Sequence, residues 1–369
     1  MRKKILRKIS EAAAIISLSL VLTMGCDSAF AMGAAPAESL ATNQTMAQAV
    51  TTYPQAPAEF RPHSASADEL QYYGFPPRPD PVNHPAAYTR WKKLVSIPRV
   101  ANPSLQQTKL YNGPIRNVSI IHAPKTGTFQ IQSNNWSGSA VTAPTFTFVQ
   151  NNAIVVAEWV VPRAQQAFGV CSGGWDYSSQ WAGFDGFTSN DVLQAGTEAD
   201  AFCGSSGPAS FYSSWVEWFP FSEIRVSVPA VRPGDLMLAE VWYTTTYPYG
   251  HAYLANYTLQ QAQVYSFDPP PGVYFQGDSA EWILERPGLG STLTNLTNYV
   301  GSPFNYDYAF NNINYFYPGS SPAGTTTYAI TMTCPPWSPS SACPSTQAIS
   351  TPYLYGLWTF WFYDSGPAF

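Results

Sequence analysis

Ser213-Ser214-Trp215-Val216-Glu217-Trp218-Phe219 alternates its side chains with a period of two. Side chains on a strand point alternately to opposite faces, so Trp215, Glu217 and Phe219 share one face, and Val216 and Trp218 the other. Similar runs recur outward from this stretch, at Ala143–Gln150, Ala153–Val161, Ser179–Asp185, Glu223–Val228, Leu236–Thr244, His251–Leu259, Glu281–Glu285, Thr326–Thr333 and Tyr353–Tyr363. Val, Ile, Thr, Tyr, Phe and Trp dominate them, as strands favour. Turn chemistry separates them, as at Asp268-Pro269-Pro270-Pro271-Gly272. Many short strands at short spacing predict an all-β sandwich or barrel. No helix of convincing length is expected beyond Asn134.

The chain has 369 residues, 15% of them aromatic and only 11% charged, against about 25% charged in an average globular protein. Its N-terminus reads as an export signal: Arg2-Lys3-Lys4 through Arg7-Lys8 is basic, Ala12–Gly25 is apolar but short, and Ala29-Phe30-Ala31 is a small-x-small cleavage word. The expected organisation is a signal peptide at 1–31, a partly disordered propeptide at 32–129 and a β-sandwich domain at 130–369. Soluble export is favoured over a lipid anchor at Cys26, because Thr23-Met24 poorly fits a lipoprotein pattern. No other segment is long and apolar enough to span a membrane. A short helix is expected around Glu38–Val50. Of five cysteines, four lie beyond the signal: Cys171, Cys203, Cys334 and Cys343. In an exported chain they predict two disulfides. Cys171–Cys203 with Cys334–Cys343 is the simplest of three connectivities.

Charge divides the chain. Residues 32–130 carry nine Lys/Arg against five Asp/Glu, whereas residues 131–369 carry four arginines, no lysine and sixteen Asp/Glu. A lysine-free acidic domain repels phosphate, which argues against nucleic acid as a partner. It suits work in acid, where protonation relieves self-repulsion. A basic segment ahead of it predicts an electrostatically docked propeptide that loosens in acid. A disordered linker is the competing reading for Thr51–Pro85, which is rich in Pro, Ala and Ser.

The residue inventory removes several chemistries. Among His63, His84, His122 and His251, only His251 lies well inside the acidic domain, with no G-x-S-x-G nearby. A serine triad therefore lacks support, and the cysteines are expected to be bonded. No H-E-x-x-H, C-x-x-C or phosphate loop is present. No metal and no other cofactor is implied. Carboxylates and amides on strands remain. Trp181, Gly183 and Asp185 share a face; Gln194 opposes Leu193; Glu281 and Glu285 share a face opposite Trp282 and Leu284. An aromatic-lined groove with a few placed carboxylates and amides is what a polymer-binding cleft needs.

Five words in order resemble the eqolisin, or glutamic peptidase, family. They are Asn135-Trp136-Ser137-Gly138; Trp181-Ala182-Gly183-Phe184-Asp185-Gly186, similar to W-x-G-I-D-G; Leu193-Gln194-Ala195-Gly196, similar to L-Q-T/A-G; Trp215-Val216-Glu217-Trp218-Phe219-Pro220, similar to W-Y-E-W-Y-P; and Ala280-Glu281-Trp282-Ile283-Leu284-Glu285, similar to A-E-F-I-I-E. The resemblance covers about Asn134 to Phe310. It implies a concanavalin-like β-sandwich of two antiparallel sheets, a pre-pro-protein and a secreted acid endopeptidase, expected to be monomeric and to act on proteins and peptides. It further implies a catalytic dyad at Gln194 and Glu285, with Trp136, Trp181, Asp185 and Glu217 along the cleft. Phe184 and Val216 depart from the family words. A sugar-binding or glycoside-cleaving sandwich using Glu217 and Glu285 is the alternative.

Overall fold

The computed structural model describes residues 49–124, 127–149, 153–166, 174–299, 301–320, 322–333, 348–354 and 360–364, all within one compact unit spanning Thr42–Phe369. The expected signal peptide, Cys26, Cys171, Cys334 and Cys343 lie outside them. So does most of the expected Glu38–Val50 helix, and Val50 itself opens a strand. Cys203 is disulfide-bonded.

The apolar faces of the alternating strands have to be covered, and two sheets stacked face to face do this. Across the first sheet run Leu105–Gln107, Ile224–Val226, Gly207–Phe219, Val192–Gly204, Ser179–Phe184, Ser279–Glu285, Trp136–Thr142, Thr326–Thr333, Phe129–Ser133 and Ser119–His122. Across the second run Val50–Thr52, Gln261–Phe267, Gly250–Asn256, Leu236–Tyr243, Ile154–Val160, Gly301–Phe310, Phe360–Asp364 and Ala348–Leu354. Ala348–Leu354 also pairs with Thr326–Thr333 and so joins the two. Among the described strands every pairing is antiparallel except Phe129–Ser133 on Thr326–Thr333. The fold is thus the expected β-sandwich.

The alternation assigns the faces correctly. Val155, Ala157 and Trp159 of the second sheet meet Ala182, Phe184, Leu193, Val216, Trp218 and Trp282 of the first in one buried core. Indole N–H groups buried there find acceptors: Trp282 Nε1 donates to Val156 O at 2.8 Å and Trp159 Nε1 to Thr197 Oγ1 at 2.9 Å. A buried indole without such a partner would forfeit part of what its burial contributes.

Two strand expectations are corrected. Ala143–Phe148 forms turns, because Pro144 cannot donate to a ladder and Phe146 has φ +67°; the strand lies just before it, at Trp136–Thr142. Tyr353–Tyr363 is divided between two paired strands, Ala348–Leu354 and Phe360–Asp364.

The N-terminal segment is also more ordered than its composition suggested. Thr51–Pro85 carries strand residues and the helix Ala67–Tyr72, which Ser66 and Glu69 cap reciprocally. The helix Pro85–Leu94 follows, with Pro at its first position. Leu70, Phe75, Trp91 and Val95 form a small core of their own, and Trp91 Nε1 donates to Pro76 O at 2.9 Å. Leu94 and Ile97 then cover the outer face of the second sheet, against Ile154, Leu238, Tyr253 and Val264. The composition concealed the second of these contacts because the apolar partners of Leu94 and Ile97 are far away in sequence.

Gly196 shows how tight the outer face of the first sheet is. It lies opposite Trp181 on one side and Trp215 on the other. A Cβ there would lie 2.2 Å from Gln180 O and 2.7 Å from Trp181 Cβ. Overpacking of this kind costs about 1–3 kcal/mol. Gly196→Ala is therefore expected to lower the unfolding free energy by that amount, seen as a lower urea midpoint at unchanged slope; an unaltered midpoint would contradict the packing described.

Candidate active site

The outer face of the first sheet gathers the polar residues. Glu281, Gly183, Gln194 and Glu217 lie opposite one another on four consecutive strands, forming one row. Two residues further along, Ile283, Trp181, Gly196 and Trp215 form the next row, and Glu285 lies beyond it, opposite Ser179 and Trp136. Gly183 leaves open the space between Glu281 and Gln194, since a Cβ there would sit 2.8 Å from Gln194 Cβ.

Glu285 is held at both oxygens. Oε2 accepts from Trp136 Nε1 and Trp181 Nε1, each at 3.0 Å; Oε1 accepts from Asn135 Nδ2 at 3.0 Å and from Gly113 N at 3.2 Å. Gln194 Nε2 donates to Asn112 O and, at 3.3 Å, to Glu217 Oε2. Its Oε1 has no hydrogen-bond partner among the described residues. Glu217 Oε2 also accepts from Asn112 N at 2.9 Å. The residues 112–113 thus lie across the face, touching Gln194, Glu217 and Glu285 together.

Of the residues named from sequence, Trp136, Trp181, Gln194, Glu217 and Glu285 converge here. Asp185 stands apart. Its backbone turns at φ +68° beyond the strand end. Its carboxylate accepts from the amides of Gln276, Gly277 and Asp278 at 2.8–3.1 Å, so it pins the 276–278 turn. His251 is on the second sheet, stacked on Trp242 and bonded to Tyr53 OH and Thr244 Oγ1. Burial drives its pKa down to about 3, so it stays neutral.

Sequence reasoning did not single out Asn135. It donates to Glu285 through Nδ2, while its Oδ1 accepts from Arg116 N and Ser133 Oγ at 2.9 and 3.0 Å. The signal was its place at the head of the Asn135-Trp136-Ser137-Gly138 word. Asn112 and Gly113 had no local signal at all.

A model of the Peptidase A4 family matches residues 134–334, more than half of the chain. The chain belongs to the Peptidase A4 family. This is the eqolisin family of glutamic peptidases, and the protein is a glutamic endopeptidase, a hydrolase of peptide bonds. Membership sets aside the glycoside reading. No curated protein sequence matches the chain. Among solved structures it is similar, at 20% identity, to scytalido-glutamic peptidase with a transition state analog inhibitor, with TM-score 0.46 over 63% of this chain and 98% of that one. It is similar in the same shares, at 20% identity and TM-score 0.43, to SCP-B, described as a member of the Eqolisin family, in complex with the tripeptide Ala-Ile-His. Aspergilloglutamic peptidase from Aspergillus niger also matches at 20% identity, with TM-score 0.36 over 51% of this chain and 99% of that one.

The eqolisin's carboxylates share one electrostatic trait. Burial raises Glu285 to about 8, against the opposing bonds from Asn135, Gly113 and Trp181. It raises Glu240 to about 8 and Asp200 to about 7. Burial pushes Asp185, Glu198, Glu217, Glu281 and Asp307 well above the usual carboxylate range. The folded chain therefore holds protons at pH values where the unfolded chain has released them. Stability is full below the unfolded carboxylate range and is lost as pH rises toward the folded values. The thermal midpoint of the whole chain is expected to fall by several degrees between pH 5 and pH 8, measured by calorimetry; a midpoint that rises across that window would contradict it.

Proposed function

We propose that Gln194 and Glu285 are the catalytic dyad of a secreted acid endopeptidase made with a signal peptide at about 1–31 and a prosegment reaching to about 129. One observation carries this reading. A single main-chain peptide unit, Asn112 C=O to Gly113 N–H, meets Gln194 through its carbonyl and Glu285 through its amide. Those are the two atoms on which peptide hydrolysis acts. In the closed form burial keeps Glu285 protonated through the acid range; exchange of residues 112–113 for substrate and water relieves that burial, and Glu285 as carboxylate then takes a proton from water, which attacks the carbonyl carbon. Gln194 Nε2 donates to the developing oxyanion, and Glu285 returns the proton to the leaving nitrogen. An amide side chain does not titrate, so a single ionised carboxylate suffices. Trp136, Trp181 and Asn135 orient that carboxylate and stabilise its charged form. Glu281 is less suited: it shares the face with Glu285, yet no indole, asparagine or main-chain amide among the described residues donates to it.

On a denatured protein substrate between pH 2 and pH 7, Gln194→Ala is expected to reduce kcat/KM at least about 100-fold. Glu285→Gln is expected to reduce it about 1000-fold or more. Full activity in either variant would sink the dyad.

Docking of the prosegment differs from the electrostatic picture. Arg90 of the Pro85–Leu94 helix pairs with Glu158 at 2.5 Å and packs over the rings of Tyr306 and Tyr308. Glu240 and Asp307 lie within its field. Yet burial dominates: Glu158, like Glu240 and Asp307, is raised rather than lowered. The helix adds to that burial while its Arg90 charge opposes it; on the reading that its desolvation outweighs its charge, docking takes up protons and acid strengthens the closed form through these groups. The charge asymmetry brings the segment to the domain, but titration does not expel it. The full-length Glu285→Gln chain is expected to keep its N-terminal segment protected from hydrogen exchange at pH 4. Deprotection of the Pro85–Leu94 helix in acid would refute this.

A further inference from the structure

The segment crossing the cleft is laid out like a substrate, not like a cap. Upstream, Thr108 N donates to Glu223 O and Glu223 N to Leu110 O, both at 3.1 Å. Downstream, Asn135 Nδ2 donates to Pro114 O at 3.1 Å, Ile115 N to Gly186 O at 3.1 Å, and Arg116 N to Asn135 Oδ1 at 2.9 Å. Main-chain bonds therefore fix the chain on both sides of residues 112 and 113, as strand-type peptide recognition does. We propose that the Asn112–Gly113 bond is the first bond this enzyme cuts, and that the cut is made in its own chain by its own cleft. This rests on the dyad reading above.

The adjacent bonds fit worse. The Gly113–Pro114 bond has no N–H to present, and its carbonyl accepts from Trp136 Nε1 at 2.9 Å instead of from Gln194. The Tyr111–Asn112 bond turns its N–H to Glu217. Only at Asn112–Gly113 does the carbonyl face Gln194 while the nitrogen faces Glu285. In the step, a water oxygen bonds to the Asn112 carbonyl carbon and the bond from that carbon to Gly113 N breaks. One water proton passes through Glu285 to Gly113 N. Asn112 ends as a carboxylic acid and Gly113 as an amine, and nothing is oxidised or reduced.

The same contacts explain why the bond survives in the closed form. Four donors occupy the two oxygens of Glu285, so a water can be activated only after the Gly113 contact loosens. They also assign the two sides of the cleft. Glu217 Oε2 accepts from Asn112 Nδ2 at 3.3 Å, which makes Glu217 a specificity residue for a hydrogen-bond donor on the acyl side. Gly113 packs under Phe219, where a Cβ would lie 3.2 Å from Cε2, so the amine side favours a small residue.

The test uses the full-length secreted chain, kept at neutral pH and shifted to about pH 4, with denatured protein added in a parallel sample. Intact mass and N-terminal sequencing follow the first fragments. The expected first new N-terminus is Gly113-Pro114-Ile115, with a partner fragment ending at Asn112. Full-length Gln194→Ala is expected to show neither this cut nor digestion of added protein, which separates enzymic cleavage from spontaneous breakdown at Asn-Gly. A first cut elsewhere, or none, with the added protein digested would overturn the self-cleavage proposal and leave the dyad standing. No digestion of either at any pH would overturn both.

Discussion

Removing carboxylates from water without cations to match them is the constraint on which this molecule turns. Beyond residue 130 there is no lysine and there are four arginines, yet the sandwich buries Asp185, Glu198, Asp200, Glu217, Glu223, Glu240, Glu281, Glu285 and Asp307. An ionised carboxylate pays heavily for such a position unless it is paired or protonated. Among the described residues only Glu223 and Asp200 have a close cation of the domain's own, Arg225, at 3.2 and 3.6 Å. The others are tolerable because protons neutralise them. Greater stability in acid is thus expected from the fold's interior, apart from the proposed catalytic chemistry.

That constraint also shapes the cleft. Glu285 differs from its strand-mate Glu281 by its surroundings: two indoles, an asparagine and a main-chain amide stabilise its charge, whereas Glu281 has none of these. The same residue type on the same face is thereby fitted for proton transfer in one place and for neutral burial in the other. Gln194 needs no such tuning, since its amide does not titrate, and a direct bond to Glu217 fixes its donor end.

Much of this was legible in the sequence where the physics is local. Period-two alternation placed Gln194 opposite Leu193, and Glu281 with Glu285, on the correct faces. The family words drew attention to Trp136, Trp181 and Glu217, which do converge. Local reasoning failed where a distant partner decides. Asp185 follows the alternation in sequence, but its left-handed backbone turns it to three amides more than ninety positions away. The Pro- and Ala-rich N-terminal stretch settles on the sandwich because Leu94 and Ile97 find partners there, and Asn112 and Gly113 matter through Gln194, Glu217 and Glu285, 82, 105 and 172 positions away. The loosening expected in acid followed from formal charge alone and left out the burial that raises Glu158, Glu240 and Asp307.

The parallel pairing of Phe129–Ser133 with Thr326–Thr333 bears on where the working enzyme begins. Family similarity starts at residue 134, but the preceding strand is woven into the same sheet and shields the rim of Thr326–Thr333. A gene trimmed to start at Asn134 would leave that rim with unpaired main-chain donors and acceptors, a template on which a second molecule can add a strand. Solubility would then be lost before chemistry was, so the useful boundary for producing the enzyme lies upstream of the similarity that identifies it.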